Sequence, residues 1–335
     1  MKVSIQKISE ATGFSPATVS NALNYKKGVN KDTAALIFKT AKELGYIEEN
    51  RITKVKFVIY KRNGKIVDDT PFFPLLIEGV EKECRAKGYE LVMCNLDQRD
   101  DDYEQQVKWM LSDTSAGVIL LGTELMEEDL ELYRGAKCPF LILDYWSNDM
   151  SFNGVLINNS DSARLATEYL IGKGHKNIGY LKGNFRIKGF RSRAVGYKIA
   201  MDKAGLPICE EQTVTLDTTM DGAYKDMMRY LETAKDLPTA YFAENDMMAI
   251  GAMKALQEKG YRIPEDISMV GFDDLPFCEI MTPRLTTIRV SKQEMGQLAV
   301  RRLHDLIQKK GEAKTKLQVC TQFVERDSVK DMIQG

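Results

Sequence analysis

Histidine is nearly absent from this chain: 335 residues hold only His175 and His304, far apart in sequence. That excludes a His-rich metal site and leaves no support for a histidine-based catalytic dyad. The six cysteines (Cys84, Cys94, Cys138, Cys209, Cys278 and Cys320) contain no C-x-x-C pair, so free, partly buried thiols are expected rather than a metal or disulfide framework. No apolar run approaches the ~20 residues that span a bilayer. The N-terminal MKVSIQKISEATG lacks the apolar stretch of a secretory signal. A cytoplasmic protein is the expectation. No G-x-G-x-x-G follows a strand, and there is neither a P-loop nor a nucleophile paired with histidine, so no enzyme and no cofactor is expected. Short-period repeats and low-complexity segments are missing too.

At 44% hydrophobic and 28% charged, the composition is that of an ordinary globular protein, and the length calls for two or three packed units. The net charge of −1 hides an asymmetry. Residues 1–56 carry ten Lys/Arg against five Asp/Glu; the rest carry 37 against 43. A small basic arm on an acidic body points to a polyanionic partner for the arm.

The arm reads as helical. Ile5, Ile8, Ala11 and Phe14 recur at three-residue steps, with Ser4 as cap and Gly13 as exit. Ser15 caps a second helix opened by Pro16, whose missing N–H costs nothing at the first helical position. Asn30 to Thr33 cap a third, with apolar face Ala34, Ile37, Phe38, Ala41 and Leu44, ending at Gly45. From residue 55 the pattern becomes strands (55–60, 89–94, 117–121, 140–144, 155–157, 177–181, 213–216, 240–243, 267–272) alternating with amphipathic helices. One last strand near 317–324 follows a helix at 292–308. Apolar strands separated by helices mean parallel sheets covered on both faces, and about ten strands divide best into two sheets of about five.

A helix, a glycine turn and a second helix opened by small polar residues is the shape that enters a major groove. Pro16, Ala17, Thr18, Ser20 and Asn21 are small enough to approach base edges. Thr18, Ser20 and Asn30 are candidate phosphate donors, with Lys2, Lys26, Lys27 and Lys31 as flanking charge. Shape alone also fits, less well, a three-helix bundle that binds no DNA.

The run Ser-Pro-Ala-Thr-Val-Ser-x-x-Leu-Asn at Ser15–Asn24, preceded by Ile8–Phe14 and followed by Gly28-Val29 and Glu43-Leu44-Gly45-Tyr46, resembles the headpiece of the LacI/GalR family of bacterial repressors. The resemblance continues through Gly174–Ile178, Arg193-x-x-Gly196-Tyr197, Asn245-Asp246-x-x-Ala249-x-Gly251, Pro264–Ser268, Gly271–Asp274 and Pro283–Ile288, and so covers nearly the whole chain. It implies an all-α helix-turn-helix headpiece plus an α/β body of two Rossmann-like parallel-sheet subdomains joined by three crossovers, as in type I periplasmic binding proteins. The implied division is a headpiece at 1–47, a short linker at 48–54, and an effector-binding and dimerisation domain at 55–335. Within that domain the N-subdomain would take about 55–157 and 290–316, and the C-subdomain about 158–287 and 317–330. It also implies DNA contacts from Ser4, Ser15, Pro16, Ala17, Thr18, Ser20, Asn21, Asn24, Lys26, Lys27, Asn30 and Lys31.

Two departures from the family pattern stand out. Only Ile47–Lys54 separates Tyr46 from the first strand, which is too short for the family's hinge helix with its connectors; the hinge helix is expected to be absent or vestigial. Asn21 stands where the family commonly has a guanine-reading arginine, and asparagine prefers adenine.

In doubly wound sheets the ligand sits beyond the carboxyl ends of the strands. The residues expected there are Phe72, Phe73, Asp144, Trp146, Asn158, Arg193, Phe242, Asn245 and Asp273. By resemblance, Asp273 and Arg193 are the effector-binding aspartate and the ligand-reaching arginine, and Phe72-Phe73 holds the ring that stacks on the ligand. From the residues alone, either phenylalanine fits the core equally well, Trp146 either stacks or covers the cleft edge, and Asp246 either binds ligand or caps a helix. Carboxylate and guanidinium groups with aromatic faces suit a polyol. Five basic residues between Lys182 and Arg193 fit a solvated loop better than a phosphate site. The implied function is a sequence-specific DNA-binding transcriptional regulator, a repressor acting as a homodimer on double-stranded operator DNA and controlled by a sugar or sugar derivative. The alternatives are a nucleoside- or purine-responsive regulator, or a solute-binding protein of the same body fold.

Overall fold

The computed structural model describes residues 4–24, 28–44, 46, 52–68, 70–308 and 313–333. Lys2, Lys26, Lys27, Gly45 and residues 47–51, which hold most of the linker expected at 48–54, lie outside the described residues, and the hinge expectation falls there. The chain divides into two units, Met1–Thr53 and Lys54–Gly335.

The first unit is three helices: α1 (Ile5–Thr12), α2 (Pro16–Leu23) and α3 (Lys31–Glu43). Each start is capped by the expected side chain. Ser4 accepts from the Lys7 amide, Ser15 from Thr18, and Asn30 Oδ1 from Thr33 at 2.7 Å. Gly13, at φ 74°, ends α1 in the left-handed region where glycine carries no Cβ penalty. Ile8, Val19, Ala22, Ile37 and Ala41 form the core. Leu44, expected on the apolar face, is instead exposed, because α3 ends at Glu43 and the chain turns.

In the second unit the long apolar runs become strands. A six-stranded parallel sheet has the order β11-β5-β4-β3-β1-β2, from β1 (Lys54–Lys61), β2 (Glu90–Asp97), β3 (Ala116–Leu121), β4 (Phe140–Leu143), β5 (Asn153–Ile157) and β11 (Lys316–Val319). Every residue of β3, β4 and β5 is buried, as expected of strands covered on both faces by α4 (Phe72–Lys87), α5 (Tyr103–Ser112) and α11 (Lys292–Gln308). A four-stranded parallel sheet has the order β7-β6-β8-β9, from β6 (Ile178–Gly183), β7 (Thr213–Leu216), β8 (Ala240–Ala243) and β9 (Ser268–Val270). It is packed by α6 (Asn159–Gly172), α7 (Lys188–Lys203), α8 (Met220–Thr233) and α9 (Asp246–Glu258). The short α10 (Phe277–Ile280) follows. Among the described residues no helix is long and apolar enough to cross a membrane.

The strand expected near 317–324 is two strands. Its first half, β11, pairs with β5 in the first sheet; its second, β12 (Gln322–Val324), pairs antiparallel with β10 (Thr287–Arg289). Residues 317–319 therefore belong to the N-subdomain, and the sheets hold six and four strands rather than about five each. The chain passes between the subdomains at 157–159, 289–292 and 319–322.

Helices α4 and α11 meet backbone to backbone. A Cβ on Gly79 would lie 2.0 Å from the Gln293 carbonyl oxygen, and one on Gly296 2.3 Å from that of Leu76. Neither obstacle is a flexible side-chain end, so the helices must part to admit a methyl group. Gly79→Ala is expected to cost about 2 kcal/mol, read as a lower melting temperature. An unchanged melt would show that the helices separate freely.

Candidate ligand cleft and nucleic-acid interface

In both sheets the strand order reverses at an inner strand, at β1 in the first and β6 in the second, and such switch points open a crevice at the carboxyl ends. Segments leaving most of the strands meet around one cavity. Lys65 and Ile66 follow β1, Thr123 follows β3, Asp144 follows β4 and Ile157 ends β5; Ile187, Thr218, Asn245 and Asp273 follow β6, β7, β8 and β9. The first turn of α4 adds Phe72 and Phe73, and α7 adds Phe190 and Arg193. The enclosed space is about 40 Å³, room for a few waters. That is well below the volume that a drug- or sugar-sized ligand fills.

Six of the nine expected residues line this cavity: Phe72, Phe73, Asp144, Arg193, Asn245 and Asp273. Phe72 and Phe73 are edge to face, with centroids 5.2 Å apart, at the start of α4. Trp146 lies outside, lining a neighbouring cavity. Asn158 caps α6, accepting from the Asp161 amide, and its neighbour Asn159 holds Arg193 instead. Phe242 is fully buried against Tyr180, because it stands inside β8 rather than beyond its end. Asp246 is fully buried and takes no part in the lining; it accepts from Thr287 Oγ1 at 2.6 Å and Leu275 N at 2.9 Å. The basic run does not form a loop at its end: α7 starts at Lys188, Arg186 pairs with Glu244, and Arg193 turns into the cleft.

Arg193 is almost wholly buried. Its Nε donates to Asn159 Oδ1 at 2.8 Å, one terminal nitrogen to the Glu244 carbonyl, and the other reaches Asp273 at 3.4 Å. Its guanidinium lies over the Phe272 ring, 3.6 Å from the centroid. Asp144 accepts from Thr123 Oγ1 at 2.7 Å. Burial pushes Asp144 up to about 6, and burial also raises Asp273 against the pull of Arg193 and Lys292. Among the described residues, the non-glycine positions with positive φ are Asp144 (62°), Asp273 (114°) and Asp274 (53°). Strained backbone of this kind persists where surrounding structure enforces it, and it concentrates at functional sites.

Two supporting residues gave no sequence signal. Glu124 is fully buried, and its carboxylate accepts five backbone amides: Arg62, Asn63 and Gly64 on one oxygen, Ile66 and Val67 on the other. It thereby shapes the loop that brings Lys65 and Ile66 over the cleft, where Lys65 reaches Asp217 of the other subdomain at 2.9 Å. Lys292 opens α11 and donates to the carbonyls of Asp273 and Asp274, with its ammonium 5.3 Å from the Phe72 centroid. Burial lowers its basicity. Both work through backbone groups, which no residue spacing displays.

In the headpiece, Pro16 and Ala17 are exposed at the start of α2, Thr18, Ser20 and Asn21 are half-buried, and Val19 and Ala22 point inward. Ser15 and Thr18 hydroxyls bond each other at 2.9 Å, and Asn24 Nδ2 returns to the Ser20 carbonyl at 2.8 Å. Ser4, Asn30 and Lys31 are exposed, each at a helix start. The start of α2 therefore presents small residues, with Pro16 and Ala17 exposed and the polar Thr18, Ser20 and Asn21 partly so.

Two outcomes follow from the cleft. A carboxyl whose folded pKa is raised favours folding below its unfolded value of 3.8, and that contribution is lost as pH rises through about 6. Asp144→Asn removes the ionisation, so its melting temperature relative to the parent should climb between pH 4 and 7; a constant difference would contradict it. Glu124→Gln turns one acceptor into a donor facing amides, and hydrogen exchange across residues 62–67 should quicken while that of β4 does not.

Residues 167–329 match the family model described as a periplasmic binding protein-like domain. The transcriptional repressor PurR of Pasteurella multocida is 31% identical over 334 residues, covering 98% of this chain and 99% of that protein. The PurR of Proteus mirabilis is 32% identical over 331 residues, covering 98% and 97%. Among solved structures, the transcriptional regulator CelR in complex with cellobiose aligns with a TM-score of 0.74 at 26% identity, over 97% of this chain and 99% of that one. A LacI family regulator of Enterococcus faecium with bound ribose aligns at 0.69 and 25%, over 83% and 99%. The lac repressor dimer bound to operator shares the fold, at 0.75 and 24%, over 98% and 100%. With this similarity running through headpiece and body alike, the chain belongs to the LacI family of transcriptional regulators.

Proposed function

We propose that the protein is a repressor that binds operator DNA as a homodimer through α2 and releases or grips it according to a small carbohydrate held in the cleft. The observation that carries this reading is the pairing, in one chain, of a helix start that presents Pro16, Ala17, Thr18, Ser20 and Asn21 with a narrow cleft built from Asp144, Asp273, Arg193 and three phenylalanines. Carboxylates and a guanidinium take vicinal hydroxyls in pairs, and aromatic rings take the apolar C–H face of a sugar. Supporting it, two solved relatives carry cellobiose and ribose. Ser15, Thr18, Ser20, Asn30 and Lys31 position the headpiece on phosphates, and Asn21 reads a base, preferring adenine. A nucleoside is the second reading, since the rings of Phe72, Phe73 and Phe190 also suit a flat base.

Ligand control works through coupling: a ligand that binds the closed cleft more tightly than the open one shifts that equilibrium, and DNA affinity with it. The intact chain should select one duplex from a randomised pool, and deletion of residues 1–47 should abolish that selection. Equal, salt-sensitive affinity for every duplex would sink the regulator reading. In a thermal-shift screen of sugars, sugar phosphates and nucleosides, Asp273→Asn should lose the ligand-induced shift and keep DNA binding. A nucleoside as the sole hit would replace the carbohydrate reading.

A further inference from the structure

Beside the cleft lies a second cavity of about 60 Å³ that the site described so far does not use. The two share a wall: Asp144, Ile157 and Gly189 line both. At Gly189 the wall is only backbone. A Cβ there would meet the Asn159 amide at 3.6 Å and Ile187 Cδ1 at 3.8 Å, ordinary contact distances, so a methyl group fits without displacing either. The second cavity also lies between subdomains: Trp146 and Gln318 come from the first, Ser160, Lys188 and Ser192 from the second. Because the two cavities share three lining residues and lie between the same two subdomains, separation that opens one opens the other.

The lining has the chemistry of a binding surface. Trp146 is 36% exposed and turns part of its ring to this cavity. Lys316 Nζ sits 5.3 Å from its centroid and is itself bonded to the Ser147 and Asp149 carbonyls, which holds the ring in place. Among the described residues, the side chains of Ser160, Ser192 and Gln318 make no hydrogen bond, so their donors and acceptors remain for another molecule. Lys188 has Glu127 at 3.8 Å, and Asp144 forms part of the wall, so the cavity carries no surplus positive charge for an anion. An indole ring beside uncommitted hydroxyl and amide groups is the surface that a neutral sugar ring uses, apolar face to the indole and hydroxyls to the rest.

We propose that the effector site is two-lobed, and that its ligand is a disaccharide-sized neutral carbohydrate whose second glycosyl unit stacks on Trp146 and bonds Ser160, Ser192 and Gln318. The proposal rests on the carbohydrate reading of the inner cavity and adds the length of the ligand to it. Trp146 is then the residue that separates two-unit ligands from one-unit ligands.

The test uses the full chain carrying Trp109→Phe, which leaves Trp146 as the one remaining tryptophan of the two. Cellobiose, maltose, lactose, glucose, galactose, ribose and adenosine are titrated by calorimetry and by tryptophan emission. One of the disaccharides is expected to bind about tenfold more tightly than its own monosaccharides, and to move the Trp146 emission where they do not. Trp146→Ala removes that tenfold advantage and leaves monosaccharide affinity unchanged; Trp146→Phe keeps most of it. A half-exposed indole contributes little to the core, so these variants fold, which a melt verifies. A monosaccharide or adenosine binding as tightly as every disaccharide overturns the second lobe while leaving the inner site intact. Equal loss for one-unit and two-unit sugars in Trp146→Ala overturns it too. A chain that selects its operator yet binds none of the sugars overturns the carbohydrate reading itself, and this inference with it.

Discussion

A buried guanidinium sets the geometry of the cleft. Taking an arginine out of water costs several kcal/mol unless its donors are met, and Arg193 meets them from three places at once: Asn159 at the start of α6, the Glu244 carbonyl beyond β8, and Asp273 beyond β9. Each partner must therefore hold its place. Asp273 does so in a backbone conformation that an aspartate would otherwise avoid, and its carbonyl is gripped from the other side by Lys292. Through Lys292 the demand reaches α11 and Phe72, which belong to the other subdomain. One charge thus ties together four strand or helix ends that are distant in sequence.

Glu124 plays the same part with the sign reversed. A carboxylate with no exposure is tolerable because five amides point at it, and those amides belong to one tight loop. The loop carries Lys65 to Asp217 across the cleft mouth, and Lys188 and Glu127 form a second such tie at 3.8 Å. Both are partly exposed, where ion pairs are weak and salt-sensitive. Across the cleft mouth the ties are weak and exposed, while the buried Lys292 contact with the Asp273 carbonyl joins the subdomains beside the crossover at 289–292.

The sequence was most readable where local physics decides. Ser4, Ser15, Pro16 and Asn30 announce helix starts by their own chemistry, and each stands at the helix start it announced. Buried parallel strands such as Ala116–Leu121 read as apolar runs because both faces are covered. Readability fell at ends and crossings. Residues 317–324 are one apolar stretch by pattern, yet they divide between two sheets because the chain crosses the hinge at 319–322. Phe242 and Asn158 sit next to cleft residues in sequence and are turned away from the cleft by strand geometry and a helix cap.

The amino-acid order by itself determined the class of protein: helix caps, strand periodicity and a long motif run place a helix-turn-helix headpiece ahead of a doubly wound body. It also singled out Asp144, Asn245 and Asp273, because residues just beyond parallel strands converge wherever such sheets form, and Arg193 by its place in the family motif. The tertiary structure alone decided which residues support them. Glu124 and Lys292 act on backbone groups across long sequence separations, and Trp146 stands in its own cavity because Lys316, far along the chain, lies against its ring. Contacts of that kind depend on how two sheets and three crossovers close in space, which no local pattern encodes.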